Sequence, residues 1–230
     1  MTFKTMCLCV AAILIPSMAA AQETSNDQPQ DDSKRIFGII PNFRTSPSLI
    51  DFEPLTTSEK FGVAWQDTFD RGTFALAGIF AAEGQFTNQN KSFGQGVAGF
   101  GRYYSAAYAD LAIGNYMTEA VFPSLLHEDP RYFRKGTGSG WSRLGYAVKQ
   151  IVVTHTDSGR AQFNYSEFAG NSAAVAISNV YYKDNRTAGT AVSQLGLQIG
   201  VDAFTNVLQE FWPDIERKFH HRSKSQRNSE

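Results

Sequence analysis

The sequence predicts an all-α protein, a single bundle of about five helices preceded by an extended, proline-containing arm. Three observations carry that prediction. Apolar residues recur at alternating four- and three-residue spacing in the segments 97–126 and 194–211, the repeat of one helix face. Thr56 and Asn164 each stand three residues before a glutamate, Glu59 and Glu167, in the pattern of an N-terminal capping box. Small residues run beside the apolar rows, as close helix contacts require, and the ten-residue alternation of a membrane β-barrel is missing.

The chain opens with Lys4, an apolar run from Leu8 to Ile15, Pro16 and the small residues Ala19-Ala20-Ala21. This is the pattern of a secretory signal cleaved between Ala21 and Gln22. An exported protein is expected, periplasmic or associated with the cell envelope. Both cysteines, Cys7 and Cys9, lie in the signal. The mature sequence therefore has no disulfide framework, no thiolate nucleophile and no cysteine-bound zinc. Cleavage leaves 209 of the 230 residues, enough for one large domain or two small ones. Loss of Lys4 leaves 20 of the 21 basic residues against 22 acidic ones, a net charge of −2, which gives no reason to expect a nucleic-acid partner.

Residues 22–34 are polar and without large apolar side chains, a flexible leader. In the arm, residues 35–55, Ile36, Phe37, Ile39, Ile40, Phe43, Leu49, Ile50 and Phe52 fall among Pro41, Pro47 and Pro54. That proline spacing forbids a helix. The arm either lies across its own domain or, through residues 35–52, docks on a membrane surface or an envelope protein.

The helical domain is expected over residues 56–219. Its first helix starts at the Thr56 cap; Phe61, Trp65 and Phe69 recur at one-turn spacing, and Leu76, Ile79 and Phe80 extend the apolar face. Residues 84–96 form a Gly-, Asn- and Gln-rich loop. A second helix covers 97–126, with Phe100, Tyr104, Ala107 and Leu111 on one row and Pro123 kinking or ending it. A third runs over 141–154 with Leu144, Ala147, Val148 and Ile151 inward, and a fourth over 164–182. The last carries Leu197, Val201, Phe204, Leu208 and Phe211 on its apolar row. The Gly196-to-Gly200 G-x-x-x-G suits close packing in a bundle. Residues 220–230 are a basic polar tail. No mature stretch reaches the about 18 uncharged apolar residues of an ordinary membrane span.

Two polar loops carry the candidate chemistry. The first holds His127, Glu128, Asp129, Arg131 and Arg134 and ends in a glycine-rich turn; the second holds His155, Asp157 and Arg160. Guanidinium forks and backbone N–H groups could hold an anion or phosphate there. The loops flank one helix roughly 20 Å long at 1.5 Å per residue, so they are expected at its opposite ends, not in one site. Adjacent His127, Glu128 and Asp129 cannot easily converge on one ion, H-E-x-x-H is absent, and no metal or cofactor is expected. G-x-S-x-G is absent too.

From Arg35 to Trp212 the chain resembles exported bacterial proteins with no assigned activity. Its Arg-rich loop and the helix start containing Gly170 also loosely resemble type 2 phosphatidic acid phosphatases, a family that cleaves phosphomonoesters. Where that family needs Ser-Gly-His, this sequence reads Phe168-Ala169-Gly170-Asn171, and no histidine follows Arg186 until His220. The resemblance therefore implies no activity here.

Two functional readings follow. The first is a non-enzymatic exported protein that works by binding in the envelope, through the arm and the basic tail. The alternative is a hydrolase or transferase for a phosphorylated or anionic envelope substrate. There Arg131 and Arg134 would hold the anion and His127 or His155 would move the proton, an imidazole titrating near neutrality. The sequence leaves the oligomeric state open.

Overall fold

The computed structural model describes the backbone at residues 35–36, 40–41, 45–46, 52–184 and 187–227, and side chains at Thr45 and, within those ranges, from 52 to 217. The expected signal, leader, most of the arm and the side chains of the basic tail lie outside the described residues.

The architecture is mostly helical, as the sequence predicts, with a small sheet the prediction lacks. Helix α1 (Thr57–Thr68) begins at the expected capping box: the Glu59 amide donates to Thr56 Oγ1 (3.3 Å) and the Thr56 amide to Glu59 Oε2 (2.8 Å). It ends at Phe69, and α2 (Arg71–Phe86) starts afresh because Asp70 accepts from the Gly72 amide at 2.7 Å. One expected helix is thus two, divided by an N-cap. Helix α3 (Gly96–Asn115) runs into a π-helical turn (Tyr116–Val121) and the short α4 (Phe122–Leu126). The wide turn comes just before Pro123, where an α turn would press the ring on the Glu119 carbonyl.

Helix α5 (Gly140–Lys149) is shorter than expected. The β-branched run Ile151-Val152-Val153-Thr154 leaves it and enters a strand. Helix α6 (Tyr165–Ser178) is capped by Asn164, which accepts from the Glu167 amide at 3.1 Å. Helix α7 (Ala188–Arg227) closes the domain with Pro213 inside it. Among the described residues no helix is long and apolar enough to cross a membrane.

The strands β1 (Arg35–Ile36) and β2 (Ile40–Pro41) pair antiparallel, and β3 (Thr45–Ser46) runs parallel to β5 (Tyr132–Phe133). The three-stranded sheet has the order β4 (Glu128–Asp129), β6 (Val153–Thr156), β7 (Ala161–Phe163), antiparallel throughout. At Thr45–Ser46 and at Phe52, whose ring lies 5.7 Å from that of Phe133, the arm is laid on its own domain.

Side-chain sorting departs furthest from expectation. Helix α1 buries Lys60, Ala64, Asp67 and Thr68 and turns Phe61, Trp65 and Phe69 to solvent. Helix α2 buries Gly72, Thr73, Ala77, Ala81 and Gly84, with Phe74 and Phe86 outside. Helix α5 buries Arg143 and Ala147 and exposes Val148; α7 buries Asn206, Gln209 and Glu210 and exposes Phe204. The buried aliphatic residues are small, mostly alanines, and the largest fully buried side chains are Lys60, Gln209, Glu128 and Glu210. The expected apolar row of α1 therefore faces solvent, and Phe100, Val148 and Phe204 of the later rows are exposed, while Ala107, Ala147 and Ile151 are buried as expected. Small stripes bring the backbones close: a Cβ on Gly170 of α6 would meet Thr118 Cγ2 at 2.9 Å and the Met117 carbonyl carbon at 3.0 Å.

Candidate functional site

The two polar loops, expected apart, meet. Strand β6 doubles back from the end of α5, so Asp129 pairs with His155 and Glu128 with Thr156. The Asp157 amide donates to the His127 carbonyl at 2.9 Å. The helical extrapolation failed because α5 stops at Lys149.

Each charge in the loops has a protein partner. Glu128, buried, caps α6: its Oε2 accepts from the Ser166 amide (2.8 Å) and its Oε1 from the Tyr165 amide (3.2 Å) and Gln162 Nε2 (2.6 Å). A carboxylate there satisfies orphan donors and the positive helix end. Asp129 takes Arg131 through Nε (2.9 Å) and Nη2 (2.7 Å), while Arg131 Nη2 also donates to the Glu53 carbonyl at 2.6 Å. Arg134 donates to the Glu210 carbonyl (2.8 Å) and to Asp214 (3.1 Å). Asp157 holds the buried Lys60 ammonium at 2.7 and 2.9 Å. Exposed His127, in the left-handed region at φ 56°, sits 3.8 Å from Asp157, and Arg160 donates to Ser158. Burial holds the His155 imidazole below its ordinary range against the pull of Asp129, and its ring packs edge-on to Phe133. Both arginines of the anion-binding reading are thus committed to protein acceptors.

Glu210, which the sequence reading missed, is the centre of this cluster. Fully buried, it accepts from Arg143 Nε (2.7 Å) and the Gly136 amide (2.8 Å) on Oε1, and from the Tyr132 hydroxyl and Lys135 amide (both 2.9 Å) on Oε2. Burial pushes its carboxyl up, but Arg143 and the two amides outweigh burial and leave it below the ordinary range. The glycine-rich turn, read from sequence as an anion cradle, wraps a carboxylate of its own chain. A lone glutamate in an apolar helix row was the available signal.

A second surface spans α1 to α3. Trp65 packs tilted against Phe69 (4.1 Å between centroids), Phe74 stacks on Tyr108 (4.8 Å), and Phe61 and Phe100 lie beside Tyr116 and Tyr104 (both 6.3 Å). Tyr104 and Tyr108 donate their hydroxyls to the carbonyls of Phe74 and Thr68, which joins these pairs into one face. Between Phe61 and Tyr108 both aspartates, Asp67 and Asp70, are buried, whereas Arg71, Lys91 and Arg102 are exposed. Burial raises the carboxyl of Glu83, the remaining acid, and so favours its neutral form. Among the described residues no group of three or more histidine or acidic side chains is placed to hold a metal ion. No protein-family model, no curated protein and no solved structure matches this chain.

Proposed function

We propose that this chain, once exported, is a non-enzymatic envelope protein that docks its aromatic α1–α3 face on an anionic lipid surface. The observation that carries the reading is the inverted sorting of α1, where a lysine and an aspartate are buried while Phe61, Trp65 and Phe69 face solvent. Exposed apolar faces of this extent mark interaction sites. Aromatic rings with a polar tip suit the membrane interface, where one end is apolar and the other wet. The choice of partner is supported by the exposed cations Arg71, Lys91 and Arg102 between Phe61 and Tyr108, where Asp67 and Asp70 are buried, although α1 also exposes Glu59. Secretory-type residues at the N-terminus support placement in the envelope.

Sedimentation of the mature chain, residues 22–230, with phosphatidylglycerol-containing vesicles tests this. It should pellet with them, more weakly with phosphatidylcholine alone, and the difference should shrink in high salt as screening removes the contribution of the exposed cations. A folded chain that stays in the supernatant with both vesicles overturns the proposal, and so does a stable dimer that hides the face.

A further inference from the structure

We infer that the polar cavity between the start of α6 and the middle of α7 binds a primary ammonium group. The cavity measures about 40 Å³, and Thr118, Asp129, Ser166, Glu167, Asp202 and Asn206 are on its wall. A site of 10–15 Å³ already holds a water, so there is room for a small polar group and little more.

Ser166 points to a missing occupant. Its residue is only 3% exposed, yet its hydroxyl has no hydrogen-bond partner. Buried hydroxyls in folded proteins are nearly always paired. On the same wall stands the Asp202 carboxylate, whose Oδ2 accepts one hydrogen of the Asn171 amide at 3.2 Å, the other going to Glu167 Oε1 at 2.9 Å. Arg131, the cation on the wall, is matched by Asp129. The positive end of α6 would repel a cation, but Glu128 and Asn164 already accept its first three amides.

Charge and geometry choose the ligand. An anion would meet the Asp202 carboxylate. A calcium ion draws six to eight oxygens to within about 2.6 Å, and the described residues hold no metal-spaced group of three acids or histidines. A primary ammonium has three donors and accepts ordinary hydrogen-bond distances from carboxylate and hydroxyl oxygens. A quaternary ammonium offers no N–H to Ser166. The amine can be free or the headgroup of an aminophospholipid.

Calorimetric titration of the mature chain with methylammonium, tetramethylammonium and calcium, each as the chloride, tests the inference. Methylammonium should bind, and tetramethylammonium and calcium should not compete with it. Asp202→Asn should weaken binding at least about 10-fold, the order of one charge-assisted contact. Ser166→Ala should weaken it about 3- to 10-fold while leaving the melting temperature unchanged or raised, since it removes an unsatisfied hydroxyl. Binding of phosphoethanolamine as tight as that of ethanolamine would assign the lipid source, and preference for ethanolamine the free one. No methylammonium binding, equal binding of tetramethylammonium, or unchanged affinity in both variants overturns the inference.

Discussion

Replacing Trp65 by serine separates a docking face from a core. Trp65 is 57% exposed and is flanked one turn away on each side by Phe61 and Phe69 at 39% and 47%. With about 200–250 Å² per aromatic side chain, the three leave roughly 300 Å² in water, of which Trp65 contributes about 140 Å². At 25 cal/mol per Å², full burial of the Trp65 share is worth about 3.5 kcal/mol. Since 1.4 kcal/mol is tenfold, Trp65→Ser should lower vesicle partitioning by about 30- to 300-fold, the lower figure allowing for incomplete immersion. The unfolding free energy should move by less than about 1 kcal/mol, because most of the ring is already in water and its main loss is the tilted contact with Phe69. A core tryptophan would cost about 3–5 kcal/mol instead. Partitioning by sedimentation and a urea titration of the same two proteins read both quantities. Destabilisation above about 3 kcal/mol with unchanged partitioning would refute the sorting argument.

Other expectations concern the cluster that holds α7 to the loops. Glu210→Ala leaves Arg143 Nε, the Tyr132 hydroxyl and two loop amides without their acceptor, while Arg143 keeps Asp214, and should cost about 3–5 kcal/mol in urea; a loss under about 1 kcal/mol would mean the cluster is wet. Glu210 is held below its ordinary range, so its stabilisation is present above the unfolded value of about 4.3 and is lost as pH falls through the native one. The urea midpoint should fall on acidification below about pH 4, less steeply in Glu210→Gln. His155, kept neutral by burial, acts in another window: the unfolded chain takes the proton first, so stability should decline as pH drops below about 6.5. His155→Phe should remove that slope, and an unaltered slope would contradict it. Gly170→Ala should destabilise by about 1–3 kcal/mol, since Met117 backbone cannot yield as a side-chain tip can; a neutral result would show that α6 can shift away.

The local signals in the sequence were strong and the tertiary ones were not. The caps at Thr56 and Asn164 are read from residues three apart in the chain: the full capping box forms at Thr56, and Asn164 accepts from the Glu167 amide. The break at Asp70 has the same physics, an N-cap, but no apolar gap betrays it. The sheet was hidden because β4 and β7 are two and three residues long and gain their identity from β6. The facing of α1 was misread for a specific reason. Helix α1 presents two stripes, Phe61-Trp65-Phe69 and Lys60-Ala64-Asp67, and the usual rule sends the larger apolar one inside. Here Lys60 reaches Asp157, 97 residues away, and no spacing within the helix announces that partner. The same holds for Glu210, whose ligands come from residues 132–143.

Residues 22–230 contain no cysteine, so a single one introduced into that chain can be labelled uniquely. The decisive measurement is the emission of an environment-sensitive fluorophore at Phe69→Cys, with Lys149→Cys as the exposed reference, on adding phosphatidylglycerol-containing vesicles. A blue shift with quenching by lipids brominated in the acyl chain at position 69, and neither at 149, is the predicted result. Emission at 69 that stays water-like on a folded, vesicle-exposed protein would contradict the lipid-docking account.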